Sequence, residues 1–168
     1  MAITVERLLE LGRALSGRTV GVAGDLIADV YQFGVPARLS REAPVLVVRH
    51  ERERVLPGSA ANSAMNVAAL GARVHVLGAL GRDEAGERVL ARFMECGIET
   101  GAILRPPEWS TVTKTRILVG EPGRTPQQVV RIDREPARSL APEEEDRLLE
   151  RFEALDARVC AWLVSDYE

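Results

Sequence analysis

Short apolar runs alternate along this chain with segments of helical periodicity, and this alternation restricts the fold more than any other feature. Residues 18–25 (RTVGVAGD), 73–81 (RVHVLGALG) and 160–168 (CAWLVSDYE) have the composition of buried strands. Apolar side chains recur at helical spacing over residues 84–97 and 141–157. Strands and helices that alternate in this way are typical of a three-layer α/β sandwich with a mostly parallel sheet.

Residue types at the helix ends support these assignments. Leucines at helical spacing within residues 5–15 follow Thr4, a suitable N-cap, and Gly17 stands where the helix would stop. Asp83 can cap the next amphipathic helix, and Pro142 with three following glutamates suits the start of the last one. The side chains expected to face a core in these two helices are Val89, Leu90, Phe93 and Met94, and Leu148, Leu149, Phe152 and Leu155.

Two stretches interrupt the alternation of strands and helices. Residues 31–55 contain Pro36 and Pro44 and end in the charged sequence HERER, which suits a projecting flap. Residues 111–119 and 127–135 alternate with a period of two around the turn GEPGRTP, which predicts a hairpin. We therefore expect small β elements that are inserted into the main α/β layer.

The composition excludes several classes of protein. The 168 residues correspond to one domain or part of a larger one, and a net charge of −3 argues against nucleic-acid binding. No run approaches the roughly 20 apolar residues of a membrane span, and charged residues interrupt the N-terminal segment where a signal peptide would be apolar. We expect a cytoplasmic protein without membrane contact, in which Cys96 and Cys160 are reduced.

Three candidate sites lie at predicted strand ends, and two of them precede the hairpin. Asp25 and Asp29 can bind sugar hydroxyls or a metal, although a capping and a solvated carboxylate would give the same spacing. Residues 54–72 hold almost nothing large after Pro57: Gly58 allows a sharp turn, free N–H groups at the helix start can bind a ligand oxygen, and Asn62 lies one turn on. The alternative is a helix whose small residues only let it pack closely on the sheet.

The third candidate site is the sequence TKTR. Lys114, the only lysine of the chain, and Arg116 are two residues apart, so a strand directs both side chains to one face, where they can hold a phosphate. The alternative is a solvated hairpin face. His50 and His75 support neither a catalytic triad nor a zinc site, and we expect His75 to be structural. The sequence GVAGD lacks a further glycine of the dinucleotide-binding pattern.

Together these segments resemble a known family. The sequences GDLIADVYQFGVPARLSREAPVLVV, PGSAANSAMNVAALGA, GALGRDEAG, TKTRIL, QVVRIDRE and LVSDY follow one another from about residue 18 to 167, as in the N-terminal half of the ribokinase-like (PfkB) sugar kinases. REAPV and the closing SDY are most similar to the branch that phosphorylates heptose 7-phosphate. The resemblance implies a ribokinase-like three-layer α/β/α sandwich with a small β-sheet lid, truncated after its N-terminal half, over residues 1–168.

The resemblance also implies roles for residues at the sugar. Asp29 and Asn62 would hydrogen-bond substrate hydroxyls, and Gly58 with Ser59 would lie at the hinge on the substrate side. Asp166 would lie near the sugar and the transferred phosphate. The family usually has paired glycines where this chain has Gly58-Ser59, and we expect the serine to stiffen the hinge.

The lid is the other part that the resemblance assigns. Segments of about residues 31–55 and 111–134 would form it, cover the sugar and pair two subunits into a homodimer. Lys114, Arg116 and Arg131 would anchor a phosphate that the sugar carries.

The implied reaction is ATP- and Mg²⁺-dependent phosphorylation of heptose 7-phosphate to the 1,7-bisphosphate, in the synthesis of lipopolysaccharide precursors. The family's Gly-Ala-Gly-Asp motif, with its catalytic base, and the nucleotide site are not in the 168 residues. We therefore expect no catalytic residue, no complete ATP or Mg²⁺ site and no kinase activity from the chain alone. The alternatives are a PfkB kinase for another sugar or a nucleoside, and a noncatalytic binding or assembly module.

Overall fold

The computed structural model describes residues 3–166, so Tyr167 of the SDY sequence lies outside the described residues. The described chain contains two four-stranded sheets. The helices are α1 (Val5–Leu15), α2 (Ala60–Ala69), α3 (Glu84–Glu95) and α4 (Pro142–Asp156). The strands are β1 (Thr19–Gly24), β2 (Leu26–Leu39), β3 (Leu46–Ser59), β4 (Arg73–Ala79), β5 (Ile103–Leu104), β6 (Val112–Val119), β7 (Gln127–Arg134) and β8 (Ala161–Ser165).

The central sheet is parallel and has the strand order β5-β4-β1-β8. On one face Val22 and Val76 pack with Val89 and Phe93 of α3, all of them fully buried. On the opposite face Leu155 of α4 packs in a second apolar cluster with Leu77. Helices therefore cover both faces of the sheet, which confirms the predicted three-layer α/β/α architecture.

Helix α2 shows why residues 54–72 are so small. Ala60, Ala61 and Ala64 are completely buried in the main core, together with valines of the central sheet. A helix packs this closely only where its contact face lacks bulky side chains. The close packing that the sequence predicted is confirmed.

The second sheet unites the two inserted stretches. Its order is β3-β2-β6-β7, with β2 antiparallel to β3, β2 parallel to β6 and β6 antiparallel to β7. The predicted hairpin is thus β6–β7, whereas the predicted flap is longer than residues 31–55, because its strands begin at Leu26 and end at Ser59. The long β2–β3 hairpin shares strand β2 with the site described below.

Helix caps agree with the sequence. The Thr4 hydroxyl accepts a hydrogen bond of 3.3 Å from the Arg7 N–H, and the Asp83 carboxylate accepts one of 2.9 Å from the Gly86 N–H. Cys96 and Cys160 are exposed and form no disulfide. Within residues 3–166 no helix is long and apolar enough to cross a membrane.

Three expectations about burial were wrong. Strand β8 was expected to be buried, but it lies at the edge of the central sheet, where Val164 is 71% exposed. Met94 and Leu149 were expected to face the core and are 64% and 60% exposed. Each directly follows a core-facing residue, and the 100° step per residue of a helix turns it away from the face that Phe93 or Leu148 occupies. The apolar faces predicted for α3 and α4 thus each included one residue that does not face the core.

Candidate functional site

Charged side chains of three neighbouring strands share one face of the second sheet. Asp29 of β2 is in register with Lys114 of β6, and Arg116 of β6 is in register with Arg131 of β7. Residues in register point to the same side of a sheet, as do residues two apart in a strand. We call this surface the charged face; its members are Asp29, Tyr31, Lys114, Arg116, Arg131 and Asp133.

Asp29 and Arg116 form a largely buried ion pair on the charged face. The guanidinium donates a hydrogen bond to the carboxylate, and each side chain is only about one-fifth exposed. This hydrogen bond raises the pKa of Arg116 above its ordinary value. The same guanidinium lies 5.3 Å from the centre of the Tyr31 ring, a cation–π distance. Arg116 therefore orients Asp29 and is already engaged before any ligand arrives.

Gly58 lies directly against the Asp29 carboxylate. A Cβ added at this buried glycine would be 2.6 Å from Asp29 Oδ2, closer than any real contact. The sequence predicted a sharp turn at Gly58, but this residue continues strand β3 in register with Ile27 and has no positive φ. Glycine is required here because the carboxylate approaches the backbone, and the prediction of a turn at this position was wrong.

The turn into α2 falls on Ser59 instead. Its φ of 51° and ψ of −128° lie where residues with a Cβ are strained. The Ser59 hydroxyl is buried without a hydrogen-bond partner and makes no capping contact with the helix. The Ala60 N–H, at the start of α2, donates a bond of 3.1 Å to the Asp25 carbonyl. A strained serine thus connects the second sheet to the helix that packs on the central one.

One cleft adjoins the charged face, and a second cleft lies beside the first. The larger, of about 720 Å³, is lined by Lys114 and Arg131 from the charged face and by Asp25. The smaller, of about 370 Å³, follows the carboxyl ends of the central strands and is lined by Asp25 and Asp166 among mostly apolar residues. Three side chains line both clefts, so the clefts are contiguous; these are Asp25, Trp109 and Val112.

The structure thus brings most of the predicted site residues together. Asp29, Gly58 and Arg116 are in contact, and Lys114 and Arg131 line one cleft. Asp166 lies at the smaller cleft, next to Ser165, whose carbonyl accepts a 3.2 Å bond from the Asp25 N–H. Asn62 is exposed in the first turn of α2 and, like Asp29, Gly58, Ser59 and Arg116, is not among the residues of 3–166 that line either cleft.

The residues of the larger cleft that sequence reasoning missed include Trp109, Asp133 and Arg138. Arg138 lies over the Trp109 ring at 5.9 Å and donates hydrogen bonds of 2.6 and 2.8 Å to Glu144, at the start of α4. These bonds, with a further one from the Ala141 N–H, lower the pKa of Glu144 to about 2. The one signal in the sequence was a lone tryptophan in the polar, proline-containing loop RPPEWS.

Metal-ligating side chains are not concentrated at the site. Among residues 3–166 no group of three or more His, Cys, Asp or Glu side chains is arranged to hold a metal ion. The described residues by themselves therefore do not fit a metal ion held by protein ligands.

Known structures share this fold. The chain superimposes on phosphofructokinase-2 from Escherichia coli with a TM-score of 0.62 and 17% identity, over 89% of this chain and 44% of that one. A putative sugar kinase from Clostridium perfringens gives a TM-score of 0.58 and 20% identity, over 82% and 41%. At such low identity these similarities show the fold alone.

Sequence relatives are closer. The chain is 42% identical to the "Bifunctional protein HldE" of Gluconobacter oxydans over 88% of this chain and 30% of that one, and 37% identical to the protein of that name from Caulobacter vibrioides over 96% and 32%. It therefore spans about a third or less of the length of these relatives. The family model for the pfkB family carbohydrate kinases matches residues 19–167, nearly the whole chain. This chain belongs to the pfkB family of carbohydrate kinases.

Proposed function

We propose that this chain forms the sugar-binding part of a kinase that phosphorylates a sugar phosphate, heptose 7-phosphate, to the 1,7-bisphosphate. Family membership and the HldE relatives support a sugar kinase. The observation that carries the choice of a phosphorylated sugar is the charged face, which combines a carboxylate for hydroxyl groups with cations on neighbouring strands. A sugar without a phosphate would need the carboxylate but not the cations.

In this proposal the cations of β6 and β7 have two different roles. Arg116 keeps Asp29 aimed at the sugar hydroxyls, while Lys114 and Arg131 bind the phosphate in the larger cleft. Arg131 already has a bond of 2.8 Å to Asp133, so a phosphate must compete with that carboxylate for Arg131. Asp166 lies at the contiguous smaller cleft, where we place the hydroxyl that is phosphorylated.

The phosphoryl donor in the proposed reaction is ATP with Mg²⁺, which pfkB kinases use generally. Mg²⁺ in such enzymes is held largely by substrate phosphates and water, with one or two carboxylates. The described residues 3–166 form no cluster of metal ligands. What these residues supply is the position and orientation of the sugar.

The test compares the binding of heptose 7-phosphate and of unphosphorylated heptose to the chain by isothermal titration calorimetry. Lys114→Ala should weaken the phosphorylated sugar by roughly 1.5–3 kcal/mol, the range for hydrogen bonds to charged groups, and leave the plain sugar nearly unchanged. Asp29→Asn should weaken both. Arg124→Ala removes an exposed cation from the β6–β7 turn and should change neither.

Two results would contradict the proposal. Equal losses for both sugars in Lys114→Ala would mean that the lysine supports the sheet and does not bind a phosphate. Binding of other sugars or nucleosides, but not of heptose 7-phosphate, would keep the family and change the substrate.

We also propose that the second sheet pairs two subunits. Its edge strand β7 is exposed along its whole length and carries Val129, Val130 and Ile132, each about half exposed. An exposed apolar edge strand favours pairing with another chain. Sedimentation velocity over a concentration series should show a dimer that Val130→Lys weakens. If Val164→Lys on the exposed edge strand β8 weakens it instead, the association involves the central sheet.

A further inference from the structure

A closed network of hydrogen bonds lies outside the two clefts, where the central sheet meets the second one. The Asp83 carboxylate accepts bonds from the Thr111 N–H (2.8 Å), the Thr111 hydroxyl (2.7 Å) and the Gly86 N–H (2.9 Å). The Thr111 hydroxyl in turn accepts a bond of 2.9 Å from the Gly81 N–H. Thr111 is completely buried and so is its bond from the Gly81 N–H, whereas the three bonds to Asp83 are partly buried.

The network joins elements that are far apart in the sequence. Gly81 and Asp83 follow strand β4 of the central sheet, whereas Thr111 directly precedes strand β6 of the second sheet. Neither glycine of the network has room for a side chain: a Cβ at Gly81 would be 2.6 Å from the Thr111 nitrogen, and one at Gly86 would be 2.4 Å from the Gly81 carbonyl oxygen. The Arg105 guanidinium donates a hydrogen bond of 2.5 Å to the same Gly81 carbonyl. We call this network of Gly81, Asp83, Gly86, Arg105 and Thr111 the joint.

We propose that Asp83 is a positioning residue, which fixes the start of strand β6 against the central sheet and thereby places Lys114 and Arg116 at the sugar. Capping of α3 would need only one of its three bonds, and the other two go to Thr111, three residues before Lys114. The effect on sugar binding rests on the proposed function; the attachment of β6 does not.

The chemistry of the joint requires a carboxylate. Burial opposes ionisation of Asp83, but the hydrogen bonds from the Thr111 hydroxyl and from the Gly86 and Thr111 N–H groups outweigh it and lower the pKa of Asp83. Both oxygens of Asp83 act as acceptors, Oδ1 for the hydroxyl and the helix cap and Oδ2 for the Thr111 N–H. An asparagine can keep the bonds at Oδ1, but its amide group would then point a donor at the Thr111 N–H.

Asp83→Asn therefore separates the joint from the helix cap, since asparagine caps helices about as well as aspartate. Hydrogen exchange measured on the whole chain should be about tenfold faster, or more, over residues 111–119, with β1 and β4 within twofold of wild type. Heptose 7-phosphate should bind about tenfold more weakly. Thr111→Ser keeps the hydroxyl and should restore both properties relative to Thr111→Val, whereas Thr4→Ala, which removes a cap from α1, should change neither.

Each outcome decides the matter. Unchanged exchange over residues 111–119 in Asp83→Asn, or a uniform acceleration over the whole chain, would overturn the attachment of β6. Faster local exchange with unchanged sugar affinity would overturn the role in placing Lys114. If wild-type protein does not bind heptose 7-phosphate at all, the proposed function fails, and the exchange data still decide whether Asp83 holds the strand.

Discussion

Replacing Ser59 by glycine should make the chain more stable, which is unusual for a substitution at a buried turn. Ser59 has a positive φ of 51° with a ψ of −128°, and its buried hydroxyl has no hydrogen-bond partner. Ser59→Gly removes both the Cβ that strains the backbone and the unsatisfied hydroxyl. It also gives the chain the paired glycines that are usual in the family.

The magnitude follows from these two contributions. A strained non-glycine conformation costs about 1–3 kcal/mol, and glycine returns about 0.5–1 kcal/mol of that through the greater freedom of its unfolded chain. An unsatisfied buried hydroxyl costs about 1–3 kcal/mol. Because the two overlap at one residue, we expect a net gain of roughly 1.5–3 kcal/mol in the free energy of unfolding. For a chain of this size that raises Tm by about 3–10 °C.

Urea and thermal unfolding followed by circular dichroism measure this gain. The variant Ser59→Ala separates the contribution of the hydroxyl from that of the strained backbone. Alanine removes the hydroxyl but keeps the Cβ, so Ser59→Gly should exceed it by about 0.5–2 kcal/mol. Ser63→Gly, inside α2, should instead lose about 0.5 kcal/mol, which controls for a general effect of glycine. If Ser59→Gly is no more stable than Ser59→Ala, the backbone at this residue stores no strain and the reasoning fails.

Three further substitutions test other contacts. Gly58→Ala should destabilise the fold by about 1–3 kcal/mol and weaken binding of both plain and phosphorylated heptose, because its Cβ would displace the Asp29 carboxylate; unchanged unfolding and binding would contradict this. The pKa of Glu144 is lowered from 4.5 to about 2, so its carboxylate stabilises the fold above pH 4.5 and loses that effect as the pH falls through about 2. In Glu144→Gln the free energy of unfolding should therefore decline less between pH 4.5 and pH 2. The pKa of His75 is lowered below 6.5 by burial and, to a smaller extent, by the charge of Arg158. NMR titration should therefore show a higher pKa of His75 in Arg158→Gln than in wild type. An unchanged pKa would mean that burial alone lowers it.

Local patterns in the sequence predicted the elements well, because their causes are local. The caps Thr4 and Asp83 satisfy N–H groups within one helical turn, and alternation in β6 and β7 reports the two faces of a hairpin. Burial was less predictable. Val164 has the side chain of a core strand, but its exposure depends on which element lies beside β8, and no local pattern carries that information.

The site shows the same division between local and distant causes. The sequence placed Lys114 and Arg116 on one strand face, and the register of β6 agrees with that. It did not predict that Arg116 would pair with Asp29, which is 87 residues away, since this follows from the parallel pairing of β2 with β6. For the same reason the glycine at position 58 was interpreted as a turn, when its true cause is a carboxylate from another strand.

This pairing changes how the three predicted phosphate anchors should be understood. Arg116 is held by Asp29 and Arg131 by Asp133, and both carboxylates belong to the charged face. A dianionic phosphate gains least where it must displace such a partner, and a buried pair is harder to break than an exposed one. The Asp29–Arg116 pair is the more buried of the two, so it should persist when the sugar binds, while Arg131 exchanges Asp133 for the phosphate beside Lys114. Recognition of the hydroxyls and of the phosphate would then depend on different contacts of the same sheet.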